Sequence, residues 1–121
     1  MSEAIEKLLT RNLYEVFGEH DSNRRRTAIA QIYMEDCIFE DHFGQSVGHA
    51  AIDAAVANLQ SKLPASAFSD AGPVQSLQMS ARLPWRFGPP EEPGRIRGVD
   101  FVIVRGERIA SLYVFLDEPP S

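Results

Sequence analysis

Cysteine is almost missing from this chain. Cys37 is the single one in 121 residues, so no disulfide can form within it. Basic charge is also scarce: 12 Lys and Arg stand against 17 Asp and Glu, for a net charge of −5. That balance argues against a nucleic-acid binder. The one dense basic cluster, Arg24-Arg25-Arg26, reads as a solvated helix face rather than a phosphate site. No apolar run is long enough for a membrane span. The start, Met1-Ser2-Glu3-Ala4, is acidic and leads into a helical pattern, unlike a secretory signal, so a cytoplasmic location is expected. There is no Gly-rich phosphate loop and no serine nucleophile elbow. His20, His42 and His49 fall in no metal-ligand spacing with the acids, and neither a metal nor a cofactor is expected.

What remains is the composition of an ordinary globular protein, 44% hydrophobic and 24% charged. The length suits a single domain over 1–121 with a real core, and the tail over 118–121 reads as disordered. Ile5, Leu8, Leu9, Leu13, Val16 and Phe17 recur at helical spacing and predict a helix over about 3–20, with Ser2 as a plausible N-cap. A second helix is predicted over about 23–34, with Ala28, Ile29, Ile32 and Tyr33 inward. A third, over about 49–62, is stopped by Pro64. The stretch between them, around 36–43, alternates as a strand. Beyond Pro64 the period changes. Ala67 to Val74 is a weak strand, and 79–87 a strong one in which Pro84 suggests an edge or a bulge. Strands follow over about 95–104 and 109–116. Helices first and hairpin strands after predict an α+β fold with helices on one face of a mostly antiparallel sheet. The last strand is apolar on both faces, which hints at a homodimer packed through the outer sheet face.

Two acids interrupt apolar rows. In the strand that holds Cys37, Phe39, Asp41 and Phe43 on one face, Asp41 is the only polar member, and His42 points the other way. Either Asp41 lines a cavity and transfers protons, or it caps the turn before Gly44. Asp100 shares a face with Val102 and Val104. There it is either a neutral buried acid or an edge-strand partner of Arg82, Arg86 or Arg97. Tyr14 flanks the apolar face of the first helix, where a core role competes with a polar one.

From Ile32-Tyr33-Met34-Glu35-Asp36-Cys37-Ile38-Phe39-Glu40-Asp41, with Gly48, the segment Gly98-Val99-Asp100-Phe101 and the run from Arg108 to Asp117, the chain resembles the nuclear transport factor 2-like superfamily. Ketosteroid isomerases and SnoaL-like polyketide cyclases are members. The resemblance implies a cone-shaped fold, three N-terminal helices on a strongly bent sheet enclosing a pocket. It also implies a general base at Asp41, a neutral oxyanion-hole acid at Asp100 and an oxyanion-hole tyrosine near Tyr14. The expected pocket lining is Phe17, Phe39, Phe43, Val56, Leu59, Trp85 and Val102. The activity so implied is proton abstraction next to a carbonyl of a small hydrophobic or cyclic ligand. The alternative, from a superfamily that also hosts binding modules, is a non-catalytic dimer that binds an apolar ligand or serves assembly.

Overall fold

A computed structural model describes residues 2–118. The side chain of Ser2 and the tail from Pro119 onward lie outside the described residues. Helix α1 (Ser2–Arg11) continues into a π-helical stretch, Asn12–Phe17, closed by a 2.9 Å hydrogen bond from the Gly18 N–H to the Leu13 carbonyl. The wider turn carries Asn12 inward beside Leu13 and Val16, all three fully buried. Helix α2 (Ser22–Ile32) starts at Asp21, whose carboxylate accepts the Arg24 N–H at 2.9 Å. It ends two residues earlier than its periodicity suggests, because Tyr33 is already extended and opens strand β1 (Tyr33–Asp41). Helix α3 (His49–Lys62) is capped by Gly48 at φ +99°, a conformation that favours glycine. His49 is the first helical residue, and its Nε2 meets the Tyr33 carbonyl at 3.0 Å.

The strands form one curved, mixed sheet, β2-β1-β7-β6-β5-β3, which remains open. Strand β2 (Gly44–Val47) was not evident in the sequence; it folds back antiparallel on β1 through the turn at His42 and Phe43. Strands β5 (Ser80–Gly88), β6 (Ile96–Arg105) and β7 (Arg108–Leu116) run antiparallel, and β1 joins β7 in parallel, the one departure from antiparallel pairing. The short strands β3 (Ala67–Asp70) and β4 (Gln75–Ser76) share the outer edge of β5. Pro84 sits between their two registers, where its missing N–H breaks no ladder and its carbonyl accepts the Ala71 N–H at 2.8 Å. The helices cover the inner face, and the core of Leu9, Leu13, Ile29, Ile32, Ile52, Val56, Leu83, Val102, Ile109 and Leu112 lies between the layers. No helix of the described residues is long and apolar enough to cross a membrane.

The arginine triplet is not a uniform solvated face. The side chains of Arg24 and Arg26 are 75% and 62% exposed, but that of Arg25 is only 4% exposed. Its Nε donates to Asp53 at 2.7 Å and its Nη1 to the Glu19 carbonyl at 2.9 Å. Gln60 completes the cluster by donating to the Phe17 and Glu19 carbonyls. One guanidinium therefore ties the end of the first helix, α2 and α3 together. Replacing Arg25 by Leu should lower stability by about 2 kcal/mol, since Asp53 then keeps only its 3.5 Å contact with Arg26 and the Glu19 carbonyl only Gln60. Arg24→Ala and Arg26→Ala should each stay within about 0.5 kcal/mol, as read by urea unfolding.

Candidate active site

The inward bend of the sheet and the ends of the helices enclose a cavity of about 600 Å³. Its wall is mainly aromatic: Phe17 and Phe39 from the helical side and β1, Phe68 from β3, Trp85 and Phe87 from β5. Edge-on contacts lock this wall, with Phe68 at 5.3 Å from Trp85 and 6.0 Å from Phe17 between ring centroids. Polar groups are few. Asp41, His42, Asn58 and Lys62 contribute from the more exposed side, and Asp100 from the buried side.

Asp100 is 4% exposed and sits on β6 between β5 and β7, so it is neither at an edge nor paired with an arginine. Trp85 Nε1 donates to its Oδ1 at 2.9 Å, and Asn12 Nδ2 donates to its Oδ2 at 3.2 Å. Burial raises its pKa to about 7 against the pull of these two N–H donors, which favour the ionised form. The indole reaches Asp100 because residue 98 lacks a side chain: a Cβ there would lie 2.6 Å from Trp85 Cζ2 and 2.5 Å from the Phe115 carbonyl oxygen. Behind Asn12 stands Tyr33, fully buried, whose hydroxyl donates to Asn12 Oδ1. Burial, then the nearby Asp100 charge, holds the phenol well above its ordinary pKa.

Asp41 is half-buried at the end of β1 and lines the same cavity. It also caps its turn, its Oδ1 accepting the Phe43 N–H at 2.9 Å, so a place on the cavity wall and the turn cap coexist in one side chain. His42 does not point away. It lies in the turn, outside the strand alternation, and joins the cavity wall. The Leu116 N–H donates to its Nε2 at 3.0 Å, which ties the Asp41 turn to the end of β7.

Of the seven expected lining residues, Phe17, Phe39, Phe43, Leu59 and Trp85 line the cavity, with Phe43 80% exposed at its rim. Val56 and Val102 are fully buried in the core and do not line it. Tyr14 also falls elsewhere. It is 43% exposed and hydrogen-bonds the Asp70 carboxylate and N–H at the β3 edge, away from Asp100, because the π-helical turn changes the phase of the helix face. That hydrogen bond raises its pKa and lowers that of Asp70. Asn12 and Tyr33 went unnoticed as site residues. The signal was an amide between Leu9, Leu13 and Val16 in an otherwise apolar helix face. Among the described residues, no group of three His, Cys, Asp or Glu side chains is placed to hold a metal ion.

The Asp100 environment fixes a pH dependence. The folded pKa of about 7 lies above the ordinary 3.8, so between these values the folded protein holds a proton that the unfolded chain has released. Its contribution to stability is complete below the unfolded value and is lost as pH rises through about 7, a loss on the order of 4 kcal/mol. Urea unfolding should show stability falling from about pH 4 to about pH 7 and levelling off above that. Asp100→Asn, whose amide oxygen still accepts from Trp85, should flatten that fall and exceed the wild type at the upper end.

With this geometry in view, the comparisons with known proteins become informative. The model of the SnoaL-like domain family matches residues 10–112. A candidate isomerase of the SnoaL-like family from Agrobacterium tumefaciens shares 27% identity and superposes with a TM-score of 0.87, over 98% of this chain and 100% of that one. A candidate ketosteroid isomerase from Kribbella flavida is 16% identical, with a TM-score of 0.74 over 98% of this chain and 82% of that one. A ketosteroid-isomerase-like fold from Catenulispora acidiphila, solved with trimethylamine, is 14% identical, with a TM-score of 0.71 over 90% and 84%. The last two likenesses concern the fold. No curated protein matches the chain.

Proposed function

This chain belongs to the SnoaL-like domain family, and on that footing we propose that it is a small-molecule acid–base enzyme acting next to a carbonyl. The observation that carries the reading is a pair of carboxylates in contrasting settings on one apolar cavity: Asp41 half-buried at the rim, Asp100 buried without a cation. Asp41 accepts a proton from the carbon next to the carbonyl. The electron pair moves onto the carbonyl oxygen, and Asp100, neutral, donates a hydrogen bond to the resulting enolate. Return of the proton to another carbon completes an isomerisation; attack of the enolate carbon on a second carbonyl completes a cyclisation. The aromatic wall suits a flat or cyclic apolar substrate. Tyr14, bonded to Asp70, has no part in this scheme.

Exchange of α-hydrogen for deuterium in cyclic ketones, followed by proton NMR, reads the shared first step without choosing between the two outcomes. The wild type should accelerate exchange, with a rate that declines as pH rises through about 7, where Asp100 loses its proton. Asp41→Asn should reduce it by about 10²–10⁴-fold, and Asp100→Leu by about 10²–10³-fold. Exchange that is unaffected by Asp41→Asn, or absent with every ketone, overturns the reading and leaves a binding module.

A homodimer belongs to the same proposal. The outer sheet face is uncovered and partly apolar: Ile103 and Phe115 are 39% and 55% exposed, beside half-buried Ile38, Val99, Phe101 and Tyr113. Across that face one row reads Arg82, Phe101, Tyr113, Glu40 on β5, β6, β7 and β1. A two-fold axis along the strands, between β6 and β7, sets Arg82 of one copy against Glu40 of its partner. Light scattering should then give twice the 13.5 kDa chain mass. Arg82→Glu should weaken the dimer by about tenfold or more, and adding Glu40→Arg should restore it. A monomeric wild type would remove this element.

A further inference from the structure

Asp100 alone does not determine where its proton points. Its two oxygens accept from Trp85 and Asn12, and the second donor is an amide that can present either end. In one orientation Asn12 Nδ2 faces Asp100 and Oδ1 faces Tyr33. In the other, Oδ1 faces Asp100 and would draw its proton into the protein. We propose that Tyr33 is a positioning residue whose hydroxyl locks the Asn12 amide with Nδ2 toward Asp100, so that the proton of the neutral acid is directed into the cavity.

The lock follows from what surrounds the phenol. Tyr33 is fully buried, and the only acceptor its hydroxyl meets among the described residues is Asn12 Oδ1. Flipping the amide would turn an N–H toward the phenol oxygen and leave the hydroxyl hydrogen buried without an acceptor. Such an orphan costs about 1–3 kcal/mol, enough to hold one orientation in at least four molecules of five. With Nδ2 held toward Asp100, both protein neighbours of the carboxyl are donors. A protonated Asp100 then finds no acceptor in Trp85 or Asn12, and the open direction is the cavity.

The other groups near Asp100 do not take over this role. The titratable groups around Asp100 and Tyr33 are Cys37, beside Tyr33 on β1, Asp41 and His42 at the cavity rim, and Lys62 on α3. The cross-strand partners of Asp100, Leu83 on β5 and Val114 on β7, are apolar. The Cys37 thiol is held above its ordinary pKa by burial and stays neutral at physiological pH.

The inference deepens the proposed function, since a proton aimed into the cavity is what an enolate would meet. Its test reads the proton rather than turnover, so the two can fail separately. Carbon-13 NMR of the Asp100 carboxyl should show its titration midpoint rising by about one pH unit or more in Tyr33→Phe, because the freed amide can turn Oδ1 toward the neutral acid. Asn12→Leu, which removes a donor to the ionised form, should raise it as well. In the wild type, the Asn12 side-chain amide protons should shift along with the Asp100 titration without exchanging places. A midpoint unchanged or lowered in Tyr33→Phe overturns the lock. If that variant does not fold, the wild-type amide signals decide: signals indifferent to the Asp100 titration overturn it equally. Loss of ketone exchange in Tyr33→Phe with KM unchanged would join the lock to catalysis, whereas an inactive wild type with the predicted midpoints would retain the lock and remove the enzyme.

Discussion

The hydrogen bond from Asn12 to Asp100 ties the helical layer to the middle of the sheet. It spans 3.2 Å between groups that are both essentially inaccessible to water. Around it the layers meet through apolar contact, which is strong but indifferent to small changes of register. A buried amide facing a buried carboxyl is not indifferent: a shift of one residue along α1 or β6 would leave two unsatisfied polar groups in the core. The π-helical turn is the local adjustment that meets this demand, because it brings Asn12 inward while keeping Leu13 and Val16 in the core.

The same link gives the cavity its electrostatic character. Two acids share one apolar chamber in contrasting surroundings. Asp41 has solvent on one side and a backbone N–H at its oxygen. Asp100 has neither solvent nor a cation, only neutral N–H donors. Burial dominates over those donors and lifts its pKa to about 7. Energy invested in this arrangement is not recovered as stability, which is the usual condition of a site held ready for a ligand.

Much of this was legible in the sequence, for physical reasons that vary along the chain. The period-two alternation over 98–104 placed Asp100 on the buried face, since a strand offers only two faces. The rows through Phe39 and Trp85 gave the cavity wall by the same logic, and Leu59 followed from the helical period of α3. Tyr14 went astray because helical phase assumes 100° per residue, and a π-helical turn violates that without any marker in composition. Strand β2 was hidden because Gly44 to Val47 carries no apolar alternation, and only pairing with β1 makes it a strand. Arg25 looked like its two neighbours because three identical residues on a helix cannot reveal which one points inward. That depends on Asp53 and Gln60, far away in sequence.

Gly98 shows how such a site constrains change. Its missing side chain is the space occupied by the Trp85 indole, and the indole is in turn one of the two donors on Asp100. Positions 85, 98 and 100 therefore form a single unit of inheritance. A side chain at 98 would strike both the Trp85 indole and the Phe115 backbone carbonyl, so a smaller residue at 85 would remove the donor without making room for it. Substitutions that reshape the cavity without disturbing Asp100 therefore fall away from the sheet floor, at Phe43, Asn58 and Lys62 on its more exposed side.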